Sequence, residues 1–322
     1  MVDKKIKVGV IGTGAIAHVA YFPSLASMKN VEISAVLSGH FENAQSAVRQ
    51  YGGVRAVHDL DEFLKQDLDC AFILTPKTVR KEYLVPLLDA KLDVLVEKPL
   101  ATTLKECAYL ADISAKSSQL VMVAFNRRFS PVNQRGIAAF NGEKPEYVLA
   151  QKNREFKEYR GTLENAIHMV DMLRHILGEC TKVEAQARYK DPFYEDLCTA
   201  LLSFECGSVG LLGASRSSGQ WFERIEMYGG NKTVIMECPV SYRVIYPDHE
   251  EGQKMTPLYK GWANVIDTLG FKPCIEHFIH CVETRERPLT CAEDAFKTHE
   301  LMDRILRVAG LPDLSNDWSG QK

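Results

Sequence analysis

Between Lys5 and Met28 the chain passes from a strand pattern to a helix pattern through a turn rich in glycine. Lys5 to Ile11 alternates and then runs apolar, as a buried parallel strand does, and Ile16 to Met28 has helical spacing. The join is Gly12-Thr13-Gly14-Ala15-Ile16-Ala17. Gly12 permits a tight turn, Gly14 lets a pyrophosphate approach the backbone where a Cβ would block it, and the small Ala17 lets helix and strand pack closely. The free N–H groups at the helix start then face the anion. Such a match also fits ordinary tight turns. Placed after a strand and before a helix, it predicts a dinucleotide-binding domain.

The alternation continues. Val31 to Ser38, Ala56 to His58, Asp69 to Thr75, Asp93 to Val96 and Leu120 to Phe125 read as strands. Helices are expected at Glu42 to Tyr51, Leu60 to Lys65 and Val79 to Ala90, with another capped by Thr102 or Thr103 and reaching about Ser117. Strands separated by helices of this length imply right-handed crossovers and a parallel sheet, whose ligands sit at the carboxyl ends of the strands. Gly12, Ser38, Thr75, Glu97-Lys98-Pro99 and Asn126-Arg127-Arg128 all fall at those ends.

After Phe129 the pattern changes. Tyr147 to Gln151, Val183 to Tyr189, Thr199 to Glu205, Val209 to Ser215, Arg224 to Tyr228 and Thr233 to Glu237 are strand-like, with short turns between several of them. Helices are expected at Leu163 to Leu177, Cys274 to Thr284 and Ala292 to Val308. Asp248 to Thr256 reads as a polar loop, and Trp262 as a wall or core residue. The fold class is therefore α/β: a doubly wound parallel sheet over residues 1–125, then an α+β domain over 126–322 on a large, mostly antiparallel open sheet. A length of 322 residues suits two domains, each with its own core.

A net charge of −3 and the lack of a basic run interleaved with aromatics argue against nucleic acid or an anionic membrane as partner. The apolar run behind Met1 to Lys7 breaks at Gly12, too early for a signal peptide or a membrane span. Nine cysteines, odd in number and never in a Cys-x-x-Cys pair, read as reduced and mostly buried thiols of a cytoplasmic protein.

On the expected helix Leu163 to Leu177, Glu164, His168, Asp171 and His175 fall within one narrow stripe, predicted to face a cleft. Three readings fit these residue types. They could hold a metal, though no His-Glu-x-x-His motif and no cysteine ligand is present. They could be a solvated face with His168 a satisfied, half-buried histidine. Or His168 could be an acid/base oriented by Glu164 one turn earlier.

From Lys7 to about Ile305, in register, the chain resembles the glucose-fructose oxidoreductase / inositol dehydrogenase / MocA family of nicotinamide-dependent oxidoreductases. Gly12 to Ala17 looks like the family's phosphate turn, Thr75-Pro76 like its threonine-proline, and Glu97-Lys98-Pro99 like its most characteristic tripeptide. Phe125 to Phe129 resembles the segment leading into the substrate domain, and Glu164-x-x-x-His168-x-x-Asp171 lines up with the family's Asp-x-x-x-His-x-x-Asp. The resemblance implies catalysis by Lys98, His168 and Glu164, with no metal. It implies a nucleotide held by Gly12, Gly14, Ala15, Ile16, Ser38, His40, Thr75, Pro76, Glu97, Lys98, Asn126 and Arg127, the last two, with Arg128, assigned either to the cofactor or to the domain junction, where the arginines would form interdomain ion pairs. The implied substrate is a sugar, cyclitol or related polyol, and the implied assembly a homo-oligomer, dimer or tetramer, formed through the open face of the second sheet.

The departures bear on function. Glu164 stands for the usual Asp, Ala166 for a frequent Gly, and Arg80 for a His often found after the threonine-proline. Leu37-Ser38-Gly39-His40 lacks the acid that accepts the ribose hydroxyls of NAD. That favours NADP over NAD, with Ser38, His40 and Arg49 as the groups left to meet a 2′-phosphate. Two other functions use the same scaffold: a nucleotide-binding regulator without turnover, and a redox-neutral, NAD-dependent glycoside hydrolase or lyase.

Overall fold

Six short segments rich in aliphatic and β-branched residues pair as a parallel sheet: β1 (Ile6–Ile11), β2 (Val31–Leu37), β3 (Arg55–Val57), β4 (Cys70–Ile73), β5 (Asp93–Val96) and β6 (Val121–Val123). Their order is β3-β2-β1-β4-β5-β6 in a computed structural model that describes residues 5–156, 159–255 and 265–316. The order reverses between β1 and β4, which makes that crevice the switch point of a doubly wound sheet. β4 and β5 are buried along their whole length, as strands covered on both faces must be.

Local chemistry sets the helix limits. Asp59 accepts a hydrogen bond from the Glu62 amide at 2.8 Å and starts Leu60–Leu64, and Thr103 accepts from the Glu106 amide at 3.2 Å and starts Leu104–Lys116. Gly52, at φ 73°, ends Phe41–Tyr51. The helix expected from Ile16 to Met28 is two pieces, a π-type turn at Ala17–Tyr21 and an α-helix at Phe22–Ser27.

Contacts divide the chain into two units. The first joins 5–125 with 271–296, and the second joins 126–270 with 297–316. A cut after residue 125 therefore does not capture the whole first unit. The helix Phe271–Thr284 lays Phe278 edge-on to Phe72 at 5.5 Å, and Phe271 edge-on to Tyr21 at 6.2 Å. Beyond it, Thr290 donates its hydroxyl to the Val123 carbonyl and accepts from the Val123 amide, extending the β6 edge.

The second unit holds β7 (Tyr147–Asn153), β8 (Cys180–Arg188), β9 (Leu197–Phe204), β10 (Val209–Ser215), β11 (Phe222–Gly229), β12 (Lys232–Cys238), β13 (Ser241–Ile245) and β14 (Glu250–Lys254). Their order is β14-β13-β12-β11-β7-β10-β9-β8, with β7 and β10 parallel and every other neighbouring pair antiparallel. The expected loop from Asp248 is thus corrected to an edge strand. All five residues of β14 are exposed, so backbone pairing forms it with no apolar periodicity to announce it. Thr256 and Trp262 lie outside the described residues. Val148, Ala150 and Lys152 of β7 are buried and alternate with less covered neighbours. On the opposite face Leu149, Gln151, Thr199, Leu201 and Leu211 line a shallow depression of about 510 Å³.

Among the described residues no helix is long and apolar enough to cross a membrane. All nine cysteines are free, and Cys206 alone is exposed.

Gly9 of β1 faces Phe63, and a Cβ there would overlap that ring and come within 2.8 Å of Leu68 Cδ1. Overpacking of this kind costs about 1–3 kcal/mol. Urea unfolding of Gly9→Ala should show a loss of stability in that range with an unchanged m-value.

Candidate active site

The glycine turn lies at the switch point. Gly12 has φ 106°, and a side chain on it would come within 2.8 Å of the Leu74 carbonyl carbon and 3.0 Å of the Thr75 nitrogen. Only glycine meets both demands. A Cβ on Gly14 would meet no protein atom within 4 Å, so its backbone borders open space, as a pyrophosphate requires. Ala15 and Ile16 follow at the start of the helix, and Ala17 is fully buried. These features fit a dinucleotide.

At the end of β2, Ser38 shares a 2.7 Å hydrogen bond with Thr13 of the turn. Gly39 and His40 are exposed beyond it. Arg49, the third group expected here, lies toward the far end of the helix that His40 precedes. It sits in the last turn of Phe41–Tyr51, and at about 1.5 Å per residue that is more than two turns from the helix start. A histidine overlooked in the sequence lies nearby: Leu37 pairs with Val57, so the next residues along the sheet ends are Ser38 and His58, and exposed His58 stacks on Phe41 at 3.7 Å.

At the end of β4, Thr75 is buried and Pro76 exposed. At the end of β5, Glu97 is buried, Lys98 partly exposed, and the Lys98–Pro99 bond is cis. The Glu97 carboxylate accepts from Tyr21 Oη at 2.7 Å and from the Lys98 amide at 2.9 Å. Those bonds turn it toward the chain itself, whereas the sequence assigns it to the nucleotide. Arg80, 6% exposed, donates to the carbonyl oxygens of Thr75, Glu97 and Pro99. Burial pushes its guanidinium down to about 10 against the opposing pull of Glu97, so it remains a cation at neutral pH. Sequence reasoning missed Tyr21, an aromatic among apolar helix residues, and had no way to show where Arg80 points.

The helix expected beneath the stripe is two pieces. Glu164 falls in a π-type turn, Gly161–Ala166, and His168 in the α-helix Ile167–Leu177. A widened turn alters the angle expected between residues four apart. The charge of Glu164 acts on Arg160 and Tyr159. His168 is 5% exposed. Asp171 is corrected from a cleft residue to a fully buried anion, paired with both Arg128 Nε at 2.8 Å and Arg128 Nη2 at 2.6 Å, and hydrogen-bonded by Thr298.

Arg127 makes a second two-point pair, to Glu223 at 2.6 and 2.7 Å, and Lys152 joins the same carboxylate. Asn126 donates to the Leu269 carbonyl at 3.0 Å. Asn126 and Arg127, expected at the nucleotide or the domain junction, both bond to partners within the second unit. Among the described residues no group of three or more His, Cys, Asp or Glu could hold a metal.

Comparison with known proteins agrees with this geometry. Residues 6–125 match the model of an oxidoreductase family with an NAD-binding Rossmann fold, and residues 139–235 match the GFO/IDH/MocA C-terminal domain. The chain belongs to the GFO/IDH/MocA family of NAD(P)-dependent oxidoreductases. It is 23% identical to the scyllo-inositol 2-dehydrogenase (NAD(+)) of Bacillus subtilis, covering 91% of each chain. It is 23% identical to the myo-inositol 2-dehydrogenase of Thermotoga maritima, covering 90% of this chain and 92% of that one. The crystal structure of the dehydrogenase MviM from Clostridium difficile superposes with a TM-score of 0.85 at 22% identity, over 94% of this chain and 99% of that one.

Burial alone would raise the Glu223 carboxyl, but the charges and hydrogen bonds of Arg127 and Lys152 outweigh it and hold it at about 2. Its contribution to stability is full above the unfolded value, about 4.3, and is lost as pH falls from there toward 2. Thermal melts between pH 5 and 3 should show a slope that is shallower in Glu223→Gln, which is also less stable at pH 7.

Proposed function

We propose that the protein transfers a hydride between a nicotinamide nucleotide, NADP in preference to NAD, and a secondary alcohol or ketone of a sugar, cyclitol or related polyol. The observation that carries this reading is the loop at the end of β5. It presents Lys98 from the same sheet whose glycine turn opens beside β4. The inositol dehydrogenases among the relatives support the substrate class.

In the oxidative direction the nucleotide supplies the hydride acceptor. His168 takes the hydroxyl proton as general base, and Lys98 donates to the same oxygen as negative charge develops on it. Glu164 orients the imidazole of His168. Ser38 in place of an acid, with exposed His40 and His58 beside it, supports NADP. Glu164, one methylene longer than aspartate and set in a π-type turn, favours a second reading, a nucleotide-binding protein without turnover.

A panel of polyols and sugars assayed with both oxidised nucleotides separates the two readings. Turnover should fall by roughly 10² to 10⁴ in Lys98→Ala and His168→Ala while nucleotide still binds. Ser38→Asp should weaken NADPH by about tenfold or more, near 1.4 kcal/mol, and spare NADH. Nucleotide binding without turnover on any substrate would favour the second reading.

The same proposal covers the open face of the second sheet with another copy of the chain, in a dimer or tetramer. Leu201 is 41% exposed there and Tyr147 stacks on Tyr228 at 4.3 Å, an apolar surface that a second sheet would bury. Light scattering should give an oligomer for the native chain and a smaller species for Leu201→Glu.

A further inference from the structure

We propose that Arg80 is a positioning residue that aims Lys98, by fixing the main chain on both sides of it. The proposal rests on the reading of Lys98 as the group that meets the reacting oxygen. The last rung between β4 and β5 is the bond from the Glu97 amide to the Ile73 carbonyl at 3.0 Å. Beyond that rung the sheet no longer orders the loop, and Arg80 does. Its Nη1 donates to the carbonyls of Glu97 and Pro99, one on each side of Lys98. Its Nε and Nη2 grip the Thr75 carbonyl at 3.2 and 3.1 Å, which anchors the fork to the end of β4.

The Lys98 amide is held separately, by Glu97 Oε2 at 2.9 Å, and the other oxygen of that carboxylate is held by Tyr21 Oη at 2.7 Å. With the carbonyl before Lys98, its amide and the carbonyl after it all pinned, the direction of its Cα–Cβ bond is set. The four-carbon stem then starts from a fixed point. A buried guanidinium is costly unless its donors are satisfied, and here carbonyl oxygens satisfy them. The nearby Glu97 carboxylate offsets its charge. An ammonium, with three donors on one nitrogen, cannot span carbonyls from two strand ends as a planar fork does. Nor can a neutral imidazole, with its single donor.

The test compares Arg80→Met, Arg80→Lys and Tyr21→Phe with the native enzyme. Displacing a reacting group by about 1 Å costs on the order of 100-fold, so kcat should fall by about that factor in Arg80→Met. KM for the polyol and the NADPH dissociation constant should stay within about threefold, a split that a general loss of structure would not give. Tyr21→Phe should lower kcat more mildly, and Arg80→Lys should restore only part of it.

A second measurement needs no turnover. In reductively ¹³C-dimethylated protein the Lys98 resonance, identified by its loss in Lys98→Ala, should stand apart from those of exposed lysines and move toward them in Arg80→Met. An unmoved Lys98 resonance with kcat within about threefold of native overturns the proposal. If Arg80→Met does not fold, the same outcome in Arg80→Lys overturns it. If Lys98→Ala keeps full turnover, the catalytic reading of Lys98 fails, and the resonance still decides whether Arg80 holds the loop.

Discussion

Main chain meets main chain where β1 gives way to its turn. Gly12 lies so close to Leu74 and Thr75 that no side chain fits between them, and its positive φ excludes other residues independently. This contact places the turn against the end of β4, where the strand order reverses. The other features of the first unit follow from parallel pairing. With all six strands running one way, Ser38, Thr75 and Lys98 must emerge at the same end of the sheet as the glycine turn.

The second unit is organised by buried charge. Arg127 with Glu223 and Lys152, and Arg128 with Asp171 and Thr298, place ionised groups where water does not reach. Such pairs add little net stability over apolar packing, but losing one member leaves a buried charge without compensation. Two neighbouring arginines thereby tie one short segment to β11 and to the helix that carries His168. That helix is held by a buried ion pair as well as by its buried apolar residues.

Much of the fold was legible because its signals are local. Glycine at a helix end, a side-chain cap at Asp59 or Thr103, and uninterrupted apolar strands each act within a few residues. The stripe on the Glu164 helix was legible as spacing, but the π-type turn at Glu164 and the burial of Asp171 against Arg128 were not. β14 was illegible because an edge strand exposed on both faces needs no pattern. Arg80, Glu97 and Tyr21 were each visible as residues, but the bonds from Arg80 to the Glu97 carbonyl and from Tyr21 to the Glu97 carboxylate span 17 and 76 positions, and no spacing rule reaches that far.

The first unit is not continuous in sequence. Phe271 and Phe278 complete the aromatic packing around Tyr21 and Phe72, and Thr290 closes the edge at β6. During synthesis a chain released only as far as Phe125 has made every strand of the parallel sheet and still lacks the helix that seals it. Domains generally fold as units and in order of emergence, but here the earlier unit waits for the later one to be made. The nucleotide-binding half is finished only when the ribosome has translated most of the other half.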